Sequence, residues 1–354
     1  SMVNVNKTSN NGKAAGFVLY NLKLNEKKDE LALNNKADER NLIKGCSIRN
    51  CSLEMKTEKS NIDAGFVYSN DRIIQNCESN LNVESKYKGY LGGYLGGFCG
   101  ENLKDGTIVG CNFSGSVKAM NLATVGGFVG VNYGKIMHCN ARGNVNGGKN
   151  VGGFVGRNAK GIISVCKSTG IGIGSIGIVE GDCYIGNIVG GFVGLNEAKI
   201  VLSNANSKAI AKTVGAFSTV RAGGFVGENA KGEISDCTAI KGVRVESKTG
   251  VFAIFSLKNA KAGGFVGVNK ATIANSKATG DVYLSAGILY KDNGCGGFVG
   301  QNAKNGNIEG CYAQCKVETT NKKKGGGFVG EAEAKSTIKN STCKTACVKG
   351  YNAD

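Results

Sequence analysis

The chain has 354 residues, 44 Lys and Arg against 27 Asp and Glu, a formal net charge of +17, and 56 glycines with no proline and no tryptophan. With one histidine, His138, it contains no His-Glu-x-x-His zinc motif, and no run approaches the roughly 18 apolar residues of a membrane-spanning helix. The cationic excess favours anionic partners such as acidic glycans, but a balance of this kind speaks to solubility before it speaks to specificity.

The chain opens Ser-Met, which reads as a cloning remnant, so a signal sequence is expected to lie outside it. Residues 1–63 read as an N-terminal cap and an irregular first coil. Within them the charged stretch 22–42, LKLNEKKDELALNNKADERNL, is expected to form a capping helix. From residue 64 to 354 one unit recurs. Phe17, Phe66, Phe98, Phe128, Phe154, Phe192, Phe225, Phe265, Phe298 and Phe328 each follow a glycine. Asparagine stands four residues later, as at Asn102, Asn132, Asn158 and Asn229, except at Ala332. An isoleucine then precedes Cys or Ser by three, as in Ile108/Cys111 and Ile200/Ser203, and a small residue and a branched one follow.

A Gly-Gly-x-x-Gly run invites comparison with a phosphate-binding loop. Such a loop occurs once, between a strand and a helix, with a Gly-Lys-Ser/Thr ending or a Rossmann unit behind it. Written at eight of the ten phenylalanines without those features, it is architecture. Each unit offers three apolar pieces too short for helices and separated by Gly, Asn and Lys, which predicts three short strands per repeat. Successive Phe lie 26 (128 to 154) to 49 (17 to 66) residues apart, a period of solenoids or propellers. Without tryptophan and with only three strands per unit, a propeller blade is not supplied. The fold class expected is therefore all-β, a parallel β-solenoid of about ten three-stranded coils.

Stacked coils place equivalent residues above one another at roughly 4.8 Å. The phenylalanines become a ring ladder, and the asparagines become an amide ladder. Cys51, Cys77, Cys111, Cys139, Cys166, Cys237 and Cys311 become a ladder of buried free thiols that behave as compact hydrophobes, with Ser203, Ser276 and Ser341 replacing them elsewhere. The glycines beside Phe are expected at corners that need positive φ or close backbone approach. The off-ladder cysteines, Cys46, Cys99, Cys183, Cys295 and Cys315, leave room for one disulfide. The spacing of Cys311/Cys315 and Cys343/Cys347 is too wide and too poor in His to read as a zinc site. No metal and no cofactor is expected. His138 beside Cys139 suggests a nucleophile pair, but strand neighbours point to opposite faces, so an outward imidazole beside an inward thiol is expected.

Function in solenoids concentrates where the repeat is interrupted. Residues 170–189 are apolar and glycine-rich, and residues 244–262 carry the run Val251 to Phe255. Phe252 and Phe255, with the cluster Tyr87, Tyr90 and Tyr94, are the candidate partner surface.

The pattern GGFVGVNYGKIMHCNARGNV and its copies resemble the GLUG-motif repeat of large bacterial surface proteins, including adhesins and the stalks of some immunoglobulin A peptidases. The resemblance implies an extracellular repeat region, secreted or at the cell surface, that binds a ligand or presents another domain of a larger polypeptide. It implies no catalysis here, because the peptidase members carry their zinc in a separate domain. The partner expected is a host-cell or matrix protein or a glycan, anionic in one reading, and not nucleic acid. The alternatives are a β-helix carbohydrate-active enzyme, which needs an aligned carboxylate pair on one face, and a module for anionic polymers.

Overall fold

A computed structural model describes residues 14–15, 18–21, 42–55, 62–85, 93–119, 124–169, 177–183, 186–213, 218–247, 257–285, 293–319, 325–344 and 348–349. Among these residues there is no helix, and every strand pairing is parallel. The charged stretch 22–41, where a capping helix was expected, lies outside the described residues, and Leu42 opens a strand.

The chain winds as a β-solenoid. Three faces each hold ten strands, one from each successive unit. In one unit the first face takes Thr124–Gly126, the second Val129–Asn132 and the third Lys135–Met137. The fourth face takes Asn140–Arg142 and Val145–Gly147. Its two columns merge where one long strand spans both, as in Glu78–Ser85 and Asn204–Thr213. The expected three strands are thus four or five, because the Gly-Gly-Phe-Val-Gly-x-Asn piece and the Ile-x-x-Cys-x-Ala piece each fold into two, and the last two strands merge in some coils.

Glycine makes that fold possible by backbone approach, not by positive φ. A Cβ on Gly126 would lie 1.9 Å from the carbonyl oxygen of Val129, and one on Gly127 would lie 2.3 Å from that of Gly153 in the next coil. The first and second strands therefore meet at a corner that admits no side chain.

The positive-φ corner lies elsewhere, immediately before the Cys/Ser slot. Gly45, Gly110 and Gly310, but also Asn76, His138, Val165, Leu202, Asp236, Asn275 and Asn340, take φ of +48° to +67° there. Gly and Asn adopt this conformation readily, whereas a left-handed residue with a bulky Cβ costs roughly 1–2 kcal/mol. Val165 and Leu202 bear that cost. His138 is exposed beside buried Cys139 as expected, but this left-handed turn, and not strand alternation, separates them.

Inside, Phe66 to Phe328 stack with ring centroids 4.7–4.9 Å apart and planes within 14° of parallel. From Asn70 to Asn302 each Nδ2 donates to the Oδ1 of the asparagine in the next coil at 2.8–2.9 Å, and all of these side chains are buried. At the end Asn302 donates to the carbonyls of Gly306 and Thr337, so Ala332 leaves no amide unpaired. Replacing Asn158 by Ala strands an acceptor on Asn196 and a donor on Asn132. The expected loss is about 3 kcal/mol, read as a lower urea midpoint, whereas a change below the error of the titration contradicts the ladder's role.

Candidate functional site

The Cys/Ser slot is more than a small cavity. Each side chain donates to the carbonyl two residues earlier, bracing the left-handed turn. Cys111 Sγ reaches Val109 O at 3.3 Å, Cys139 reaches Met137 O at 3.1 Å, and Ser203 Oγ reaches Val201 O at 2.8 Å. Most also accept the backbone N–H of the slot residue one coil earlier, as Cys139 Sγ does from Cys111 and Ser276 Oγ from Cys237. A group that donates and accepts is needed, which explains why Cys and Ser interchange and Ala does not appear. Cys77, Cys166, Cys237 and Cys311 make the same contact to the turn.

One residue assigned to this ladder from sequence is misplaced. Cys51 pairs in register with Leu81. Cys46, three residues after Ile43 and directly after left-handed Gly45, fills the slot instead, and its carbonyl accepts the N–H of Glu78. The signal was the Ile-x-x-Cys spacing at Ile43, legible in the sequence. Cys46, Cys99, Cys295 and Cys315 are free thiols. Cys183 and Cys347 lie among side chains outside the described set, and among the described residues no cluster of three metal-ligating side chains occurs.

Burial pushes the thiols of Cys237 and Cys295 up to about 12 and that of Cys311 to about 11, from an ordinary value of 9.0. For Cys111 the hydrogen bond with Cys139 is the largest cause, again reaching about 12. These are protonated, sequestered thiols and not nucleophiles.

Since the interior is occupied by ladders, the surfaces open to a ligand are the outer faces. Of the candidate partner surface, Phe252, Phe255, Tyr87 and Tyr90 lie outside the described residues. Tyr94 is half-buried on the first face, in register with Thr124. The strands flanking the insertion, Val243–Ser247 and Leu257–Gly263, belong to the fourth and first faces.

Val243–Ser247 borders a feature the sequence did not reveal. On the fourth face the two columns separate at 240–242 and 279–281 and leave an open groove of about 490 Å³. Lys208, Lys241 and Arg244 supply cations to it, and Asp281 and Glu318 supply carboxylates. The Arg244 guanidinium lies 4.7 Å above the Tyr283 ring and is bonded to Glu246, which fixes it in place. Asp281 Oδ1 accepts the backbone N–H of Lys316 at 2.9 Å, and Glu318 is paired with Lys316 Nζ at 2.5 Å. No sequence signal marks this groove, because its residues come from four coils and occupy outward positions that do not repeat.

A second polar zone joins the first and second faces. Glu228, buried in spite of its charge, is held between Arg221 and Lys270. Lys261, 2% exposed, is paired with Glu331. Buried charges with committed partners brace the outer wall.

The GLUG motif model matches residues 121–146 and 259–283. The chain carries GLUG-motif repeats. Each matched segment spans strands of all four faces, so the motif corresponds to about one complete turn of the solenoid. The Phe, Asn, Ile and Cys/Ser positions that make the motif recognisable are the internal ladders. No curated protein and no solved structure matches the chain. Among the described residues no helix is long and apolar enough to cross a membrane.

The raised thiols set an alkaline limit. An unfolded thiol loses its proton above about pH 9 while a buried one keeps it to 11–12, so unfolding releases protons and stability falls as pH rises through that window. Substituting Cys111 and Cys237 by Ser keeps the slot's hydrogen bonds and is expected to flatten the fall of the melting temperature between pH 9 and 11. Parallel curves for parent and variant would contradict the assignment.

Proposed function

We propose that the chain is a non-catalytic GLUG-repeat scaffold of a bacterial surface protein, which holds ligand-binding outer faces at fixed spacing. The observation that carries this reading is the assignment of the interior. The repeated Phe, Asn, Ile and Cys/Ser side chains are committed to coil-to-coil ladders, so specificity falls to the faces that do not repeat. The groove of Lys208, Lys241, Arg244 and Tyr283 suits a saccharide. Tyr283 offers an apolar ring, and the fixed guanidinium and lysines favour an acidic sugar. The net charge of +17 supports the same preference.

A second reading has its own observation. Asp281 and Glu318 line this groove, as a carbohydrate-active enzyme of the β-helix type requires. Both carboxylates are held by Lys316, which favours the binding role.

A glycan and anionic-polymer array at low and at physiological salt tests the proposal. The expected result is retention of an acidic glycan at physiological salt, weakened about tenfold by Arg244→Ala or Tyr283→Ala. Turnover of a bound glycan that Asp281→Asn abolishes would establish the enzyme instead. Binding that disappears with salt would reduce the surface to non-specific charge.

A further inference from the structure

Glu228 is a buried charge at a position where other coils place an apolar side chain. Its second-face column also carries Val131, Leu195 and Val268. At 3% exposure the carboxylate bears a desolvation cost that those residues avoid. What it achieves is to hold two cations. Its Oε1 accepts from Lys270 Nζ at 2.6 Å, and its Oε2 accepts from Arg221. Both cationic side chains stay open to water, 42% and 36% exposed. A second carboxylate acts likewise. Glu333 Oε1 accepts from Gln301 Nε2 at 2.7 Å, and its Oε2 accepts the backbone N–H of Lys304 at 2.9 Å. This fixes Gln301 and the turn that carries Lys304, an exposed residue.

Arg221, Lys270, Gln301 and Lys304 border one pocket of about 300 Å³ where the first face meets the second. Buried Val268 and Ala303 give it an apolar lining, and Asn259 adds an amide. Lys261, two residues after Asn259, does not line it. Its stem passes Gly294, where a Cβ would lie 3.2 Å from Cδ, and its ammonium is paired with Glu331.

This lining selects a ligand. Arg221, Lys270 and Lys304 stand against Glu228 and Glu333, an excess of one positive charge that suits a monoanion. The Arg221 guanidinium bonds Glu228 through Nη1, and its other N–H groups match a planar carboxylate. The amides of Asn259 and Gln301 both donate and accept, as neighbouring sugar hydroxyls require. Val268 and Ala303 offer an apolar surface to the face of a sugar ring.

We propose that this pocket is a second saccharide site, which takes a uronic acid residue with its carboxylate on Arg221 and Lys304. It shares no residue with the fourth-face groove. Its ligand class rests on the reading proposed for that groove, whereas its position does not.

Titration of the full chain with methyl glucuronide, followed by NMR of side-chain amides and aromatic rings, tests this. The expected result is saturable shifts of the Asn259 and Gln301 amides, and none with methyl glucoside, which lacks the carboxylate. Arg221→Gln leaves Glu228 paired with Lys270 and is expected to weaken binding about tenfold. Lys304→Gln, at an exposed position, is expected to weaken it without touching the buried pair. Arg244→Ala is expected to leave these shifts unchanged. Shifts confined to Tyr283 and lost with Arg244→Ala would keep the fourth-face reading and overturn this one. Shifts at Asn259 and Gln301 that methyl glucoside reproduces, or that persist in both Arg221→Gln and Lys304→Gln, would overturn it too. So would the absence of any saturable shift at those two amides, whatever the groove binds.

Discussion

Parallel, in-register hydrogen bonding from one coil to the next is the constraint on which the rest of this structure depends. It fixes the rise at the parallel-strand spacing, so a residue meets its counterpart about 4.8 Å above and below. Identical side chains must then tolerate their own copies as nearest neighbours. Phenylalanine satisfies this by stacking, and the observed centroid separations of 4.7–4.9 Å match the backbone rise. Asparagine satisfies it because one amide both donates and accepts, so a column of them closes every bond except at its ends. A buried Asp or Lys column would stack like charges, and none occurs inside. The absence of proline has the same origin, since each coil must donate to its neighbour through most of its length.

This constraint also decides what could be read from the sequence. The Phe, Asn and Ile ladders were legible because in-register stacking forces periodicity on them, and they stand where expected. The left-handed corner was not legible. Its requirement is conformational, and Gly, Asn, Asp, His, Val and Leu all occupy it, so no residue type recurs. The glycines beside Phe mark a different corner, where they fill the second of their two expected roles and admit a carbonyl oxygen. Reading the thiol slot as merely small missed the hydrogen bond that makes Cys and Ser equivalent there. Across the apolar, glycine-rich interruption the spacing of the repeat could not place the branched slot, which Val179 holds beside Val145 and Ala209.

Outer faces obey no such rule, because water accepts any polar side chain. Their residues are free to vary, and that freedom both hides the fourth-face groove from sequence reasoning and allows it to be specific. The binding proposed for this scaffold therefore rests on departures from the repeat. The separated columns beside Arg244 and Tyr283 are one departure, and the buried Glu228 in a column that also carries Val131, Leu195 and Val268 is another.

Exchange of the asparagine side-chain amide protons, followed by NMR, tests in-register stacking most directly. The account predicts that Nδ2 protons of Asn132, Asn158, Asn196 and Asn229 exchange orders of magnitude more slowly than those of exposed Asn204 and Asn275. Exchange of both sets at the same rate would mean that the amide column does not exist and that the coils do not stack in this register.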